Sequence, residues 1–206
     1  MIIVIIYQEA PVRSVKKILT FEDCVCPAWL SFSLDFGLRR AVHGPEEILR
    51  DLVRPGMTAL DIGCGPGFFS IPMARMVGEG GRVIAADIQK RMLERLVRNA
   101  RSAGMEARIV PHLASPADVG VSERVDFILA FWMVHEVPEA HRGYFFGQIA
   151  GLMKPESRFL LVEPKIHVPE GSFERTCNTA RDAGLSEISR PGIRLSRARL
   201  YERAGQ

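Results

Sequence analysis

The chain has 206 residues, 47% of them hydrophobic and 25% charged, with a formal net charge of +3. That balance excludes a disordered or low-complexity chain, and so small an excess of positive charge does not by itself point to a nucleic-acid partner. Four scattered cysteines do not make a disulfide framework, and Met1-Ile-Ile-Val-Ile-Ile is too short to span a bilayer or to act as the apolar part of a signal peptide, so a single-domain, cytoplasmic protein without a membrane span is expected.

Residues 1–44 read as a leader. Ile2 to Tyr7 suit a tail or an upstream extension, and the stretch from Cys24-Val-Cys26-Pro27-Ala28-Trp29 to Arg40 mixes aromatics with polar residues and shows no clean period. The domain proper is expected over residues 45–206. Pro45, with Glu46 and Glu47 behind it, starts a short helix whose buried face is Ile48, Leu49, Leu52 and Val53. Pro55-Gly56 ends it, and Met57 to Ile62 form a first strand. A glycine turn follows, then a helix whose Pro72 requires a late start or an irregular first turn.

Arg82 to Asp87 is the second strand, with an acid at its carboxyl end. The next helix should bury Ile88, Met92, Leu93, Leu96, Val97 and Ala100 and stop at Gly104. Strands are predicted at Ala107–Leu113, Val125–Phe131 and Arg158–Val162, and a helix from Pro138 stops at Lys154-Pro155. Ser172 caps a last helix closed by Gly184, and Leu185 to Tyr201 hold two strand-like pieces around Pro191-Gly192. Alternating strands and helices with continuously apolar strands predict an α/β, doubly wound, mostly parallel sheet.

The glycine turn reads Asp61-Ile62-Gly63-Cys64-Gly65-Pro66-Gly67. A dinucleotide fingerprint needs G-x-G-x-x-G, but here the third glycine comes one place early and Phe68 stands in its position. Asp61 would repel a pyrophosphate and tolerate a cationic ligand. The Asp-x-Gly-x-Gly-x-Gly pattern resembles motif I of the class I S-adenosylmethionine-dependent methyltransferases. Asp87, 20 residues beyond Gly67, stands where a carboxylate accepts both ribose hydroxyls of a nucleoside.

The resemblance implies a Rossmann-like seven-stranded sheet ending in an antiparallel hairpin, with residues 1–44 forming a partial lid over the site. It implies S-adenosylmethionine as methyl donor, S-adenosylhomocysteine as product, and a small-molecule acceptor as partner. Cofactor-binding residues would be Asp61, Gly63, Cys64, Gly65, Gly67, Asp87, Ile88, Ser115 and Phe131, with Asp118 as a second candidate beside Ser115. The substrate pocket would draw on Trp29, Trp132, His135, Glu163 and His167, and His135 is the candidate general base. The stretch Phe131 to Val137 lacks the Asn/Asp-Pro-Pro-aromatic motif of enzymes that methylate exocyclic amines, which disfavours a nucleic-acid substrate.

Three rival readings are open at this point. Arg190, Arg194, Arg197, Arg199 and Arg203 could meet RNA or an acidic protein; a solvated strand face is the simpler reading. A module that binds the cofactor without turnover is the second. The third gathers Cys24, Cys26, Cys64 and Cys177 around a thiophilic substrate such as arsenite. No resident metal is expected, because one C-x-C supplies only two of the four ligands a structural zinc needs.

Overall fold

A computed structural model describes residues 43–116 and 118–205. The leader up to residue 42, with Cys24, Cys26 and Trp29, lies outside the described residues. Helix α1 is Pro45–Leu49, β1 Thr58–Ile62, α2 Ser70–Met76, β2 Arg82–Asp87 and α3 Lys90–Ser102. After them come β3 Ile109–Leu113, β4 Val125–Phe131, α4 Glu139–Leu152, β5 Met153–Pro164, α5 Glu170–Asp182, β6 Leu185–Ser189 and β7 Ser196–Arg203.

One seven-stranded sheet runs in the order β3-β2-β1-β4-β5-β7-β6. Strands β1 to β5 are parallel, and β7 joins antiparallel between β5 and β6. The expected doubly wound sheet and terminal hairpin are therefore both present. Strand order reverses between β1 and β4, and a sheet of this kind opens a crevice beyond its carboxyl ends at that point. Strands β1, β2, β4 and β5 are buried on both faces, so alternate residues feed two cores. Leu60, Ile62, Ile84 and Ala86 enter the core under α4 and α5, while Ala59, Val83 and Ala85 enter the one under α2 and α3.

Helix α2 starts late, at Ser70, as Pro72 required, and Pro72 then falls in its first turn, where a backbone N–H needs no intrahelical acceptor. Several other local expectations are corrected. Val97 is partly exposed on α3, and Ile88 lies ahead of that helix at 38% exposure. Lys154-Pro155 is no helix stop: α4 ends at Leu152 and β5 begins at once. Between Val125 and Phe127 the β4–β5 register jumps from Met153 to Arg158, so Pro155 sits in an irregularity where no ladder donor is required. Helix α5 starts at Glu170 behind Pro169, and Ser172 lies inside it. Arg199 is not solvated. It is buried, pairs with Glu174, lies 3.3 Å from Glu187, and stacks on the Phe173 ring.

Candidate functional site

A cleft of about 250 Å³ opens at the carboxyl ends of the strands. Its lining includes Asp61 at the end of β1 with Gly63, Cys64 and Gly65 after it, Asp87 at the end of β2 with Ile88 after it, and Phe131 and Trp132 at the end of β4. The expected cofactor residues thus share one wall, and Gly67 packs behind them on α3.

The glycine turn closes its own donors. The amides of Gly63 and Cys64 both donate to the carbonyl of Ala86, at 2.9 and 3.1 Å, and that of Gly67 donates to the carbonyl of Cys64 at 3.1 Å. The Gly65 amide donates to Asp87 Oδ2 at 2.9 Å. Each of these four amides points into protein, so the turn is not the donor nest that a pyrophosphate requires.

The three glycines differ in what they make room for. All have positive φ, 71° at Gly63, 53° at Gly65 and 97° at Gly67. A Cβ on Gly63 would lie 2.8 Å from Met133 Cβ, and one on Gly67 would lie 2.6 Å from Leu96 Cδ1. A Cβ on Gly65 would meet no protein atom within 4 Å, and Gly65 lines the cleft. Space at that point is available to a ligand.

Asp61 is buried at the end of β1, and its Oδ2 accepts the Ser70 hydroxyl from the first turn of α2 at 2.5 Å. Asp87 is 8% exposed and also accepts the Gln89 amide on Oδ1 at 2.8 Å. Burial raises its pKa, against the lowering effect of the backbone amides of Gln89, Gly65 and Ile88. Each carboxylate oxygen retains acceptor capacity beyond its one amide bond, which fits a vicinal diol. Ile88 offers an apolar face beside it.

Ser115 and Asp118 close a tight turn at the rim. The Asp118 amide donates to Ser115 Oγ at 3.0 Å, and Asp118 Oδ1 accepts the Gly120 amide and Gln148 Nε2, both at 2.8 Å. Both residues line the cleft with their side chains already tied into that turn. Phe131 packs 4.4 Å from Phe69, ring to ring. Trp132 has φ 58°, and its indole N–H donates to Ser196 Oγ at 3.0 Å. Its ring meets His43 edge-on at 4.9 Å, and His43 Nε2–H donates to the Arg194 carbonyl at 2.8 Å.

His135, Glu163 and His167, also expected at the substrate pocket, stand outside this lining. His135 Nδ1 donates to Glu163 Oε2 at 2.5 Å, and the exposed His167 ring lies 6.4 Å from the His135 ring. Burial acts to lower the His135 pKa, but the hydrogen bond and charge of Glu163, with Glu136 beyond, raise it overall. In place of these residues the far wall presents Met133, Glu136, Val137, His141, Phe145 and Gln148. His141, Phe145 and Gln148 recur at helical spacing on α4. That face was visible in the periodicity, but which core or cleft it met was not.

Among the described residues the two thiols, Cys64 and Cys177, stand apart. Burial first, then the charges of Asp61 and Asp87, push the Cys64 thiol well up. Cys64 and Cys177 belong to cores on opposite faces of the sheet. Among the described residues no group of three or more His, Cys, Asp or Glu is arranged to hold a metal, and no helix is long and apolar enough to cross a membrane.

Comparison with known proteins agrees with this architecture. Residues 59–156 match the family described as Methyltransferase domain. The nocamycin O-methyltransferase of Saccharothrix syringae is 31% identical over 122 residues, 56% of this chain and 41% of that protein. A probable cobalt-precorrin-6B C(15)-methyltransferase of Thermoplasma acidophilum is 38% identical over 55 residues, covering 26% of this chain and 27% of that one. The chain spans less than half the length of these curated relatives. In three dimensions it resembles a SAM-dependent methyltransferase from Aquifex aeolicus, with a TM-score of 0.76 and 22% identity over 86% of this chain and 98% of the other. It also resembles Aeropyrum pernix fibrillarin, described with natively bound S-adenosyl-L-methionine, with a TM-score of 0.58 and 17% identity over 72% and 67% of the two chains.

Proposed function

We propose that this chain, which carries a class I S-adenosylmethionine-dependent methyltransferase domain, transfers a methyl group to a small-molecule acceptor. The observation that carries the reading is the joint between the two halves of the cleft wall. Gly65 is open toward the ligand side and is bonded through its amide to Asp87, whose carboxylate keeps acceptor capacity toward the cleft.

The cofactor supplies, when bound, a methyl group already activated by a sulfonium. Asp87 would hold the ribose hydroxyls and Ile88 the face of the base, with Ser115 and Asp118 forming the rim there. Asp61, Gly63, Cys64 and Gly65 shape the floor and bring carboxylate charge close to a cationic ligand without exposing it to water. Phe68, Phe69, Phe131 and Phe145 make the cleft largely apolar, which excludes competing water and strengthens the attraction between fixed carboxylates and a positive charge. Alignment is the main task left to the protein, so no nucleophile is needed.

Support for a small acceptor comes from the C-terminal arginines. Arg199 is paired internally, Arg190 bonds Glu187 Oε1 at 2.6 Å, and Arg197 donates to the Val168 carbonyl at 3.0 Å. Much of that charge is engaged within the fold instead of forming a nucleic-acid track. The matched nocamycin enzyme is named an O-methyltransferase, which makes a hydroxyl acceptor the first to try. A cytoplasmic setting belongs to the same proposal, in keeping with the free buried thiols of Cys64 and Cys177.

Calorimetry with S-adenosylmethionine, S-adenosylhomocysteine and NAD tests the cofactor reading: the first two should bind and NAD should not. Incubation with methyl-labelled cofactor and a fractionated cell extract tests the acceptor. Label in a low-mass fraction supports the proposal, and label confined to RNA or protein overturns its acceptor half.

A further inference from the structure

Beyond the cofactor wall, the far wall of the cleft is held by a carboxylate that does not line it. Glu163 is 1% exposed near the end of β5. Its Oε1 accepts two successive amides of the turn after β4, Val134 at 2.7 Å and His135 at 3.2 Å, while its Oε2 accepts His135 Nδ1 at 2.5 Å. One side chain thus gathers three donors from two adjacent residues. Its neighbour Val162 fixes the start of the same segment, its carbonyl accepting the Trp132 amide at 2.7 Å where Trp132 takes its left-handed φ.

The segment so held places Met133, Glu136 and Val137 in the cleft lining. Met133 also reaches the opposite wall. The closest approach that a Cβ on Gly63 would make is to Met133, so Met133 rests on the glycine turn itself. A physical path therefore runs from Glu163 through the turn Val134–Glu136 and Met133 to the backbone at Gly63.

We propose that Glu163 and His135 form a clasp that sets the position of this wall, making Glu163 a positioning residue for the methyl-transfer site and His135 its partner, not a base acting on the acceptor. The proposal rests on the methyltransferase reading above. Glu163 answers two kinds of donor at once: the backbone amides need only an acceptor, whereas the His135 ring is held most firmly when it carries charge opposite a carboxylate. Among the described residues, the groups facing this pair are few. Glu136 of the same turn favours the charged ring and Arg142 of α4 opposes it. His167, beyond β5, is a further titratable ring, 6.4 Å from that of His135. Because the pair favours the protonated ring, the clasp is tightest below the raised His135 pKa and loosens as pH rises through it.

The probe is S-adenosylhomocysteine, bound to the full chain and followed by calorimetry between about pH 6 and pH 8.5, beside an NMR titration of the His135 ring. Affinity should fall severalfold across the interval in which His135 titrates. Glu163→Gln keeps an acceptor for the amides but removes the charge, and His135→Asn keeps a side-chain donor but cannot titrate. Both should flatten the profile, and His167→Asn should leave it as in the parent. A severalfold fall in the parent that both clasp variants abolish establishes the clasp. Affinity that is flat with pH in the parent, or a profile unchanged in His135→Asn, overturns it while leaving the cofactor reading intact. Failure of the parent to bind the probe at any pH overturns the methyltransferase reading, and the clasp with it. Should Glu163→Gln not fold, His135→Asn and the parent's own titration decide the matter.

Discussion

The Gly65 amide donates to Asp87 Oδ2 at 2.9 Å, which ties the glycine turn to the end of the neighbouring strand. Two features that read as separate halves of a ligand site are one hydrogen-bonded unit. The acid therefore acts twice, holding the turn in shape and presenting its remaining acceptor capacity to the cleft. Asp87→Ala removes both effects and leaves the Gly65 amide without its acceptor. Cofactor affinity should fall by more than about tenfold in calorimetry, about 1.4 kcal/mol. Asp87→Asn, with one acceptor oxygen left, should fall between the parent and the alanine variant. An unchanged affinity in Asp87→Ala would mean that the diol is held elsewhere.

The glycines should separate stability from binding. Gly67→Ala puts a Cβ 2.6 Å from Leu96 Cδ1 at φ 97°, combining backbone strain with overpacking. A loss of about 2–4 kcal/mol in urea unfolding is expected from those two costs, and Leu96→Ala, which removes the clashing methyl, should cost less in that variant than in the parent. Gly65→Ala has strain without a clash, so its stability loss should be near 1 kcal/mol. Its added methyl occupies ligand space, however, and its affinity should drop more than its stability. Equal effects of the two substitutions on binding and on unfolding would contradict the distinction.

How much of this was legible follows from what each feature depends on. The glycine turn and Asp87 are set by local backbone demands and by the end of an apolar strand, so their residue types announce them. Glu163 read as a residue facing substrate because it lies near a strand end; its actual partners lie 28 and 29 residues away in sequence. His141 and Gln148 carry no local signature beyond a helical spacing shared by core residues. Lys154-Pro155 misled for a related reason. Proline disfavours helix everywhere, but whether a strand can absorb it depends on a register shift against β4 that only the assembled sheet reveals.

Titration of His135 should also show in stability. Its folded pKa is raised above the ordinary value of about 6.5, so the folded state binds the proton more tightly than the unfolded one. That contribution is complete below the unfolded pKa and is lost as pH rises through the folded one. Melting temperature should therefore decline over that upper window, and His135→Asn should remove the decline. A parent whose stability rises over the same window would reverse the sign of the argument.

Cys64 sits in the glycine turn, yet the residue is 5% exposed and the pKa of its thiol is pushed well up by burial and by Asp61 and Asp87. A thiol held protonated is a poor nucleophile. Cys64 should resist a thiol reagent at neutral pH in the folded chain and react once the chain is unfolded in urea, as peptide mapping by mass spectrometry would show. Fast modification of the folded protein at this position would revive thiol chemistry for the cleft.

Arg199 tests whether the hairpin is fastened by charge or by shape. Its side chain is 9% exposed, pairs with Glu174 and lies 3.3 Å from Glu187, which bonds Arg190 as well. The guanidinium also covers the Phe173 ring at 5.1 Å. Arg199→Met keeps much of the packing and takes the cation from Glu174, 38% exposed, while Glu187, 17% exposed, keeps Arg190 at 2.6 Å and Arg181 at 3.7 Å. Solvent near Glu174 and the remaining partners of Glu187 reduce the penalty, so a loss of about 2–3 kcal/mol is expected, below the range for a fully buried pair. Replacing Glu174 by Gln together with Arg199→Met should recover part of it, because the carboxylate that lost its cation is then gone. If the double variant is no more stable than Arg199→Met alone, the hairpin owes its position to the Arg199 stem and the Phe173 contact and not to the charges.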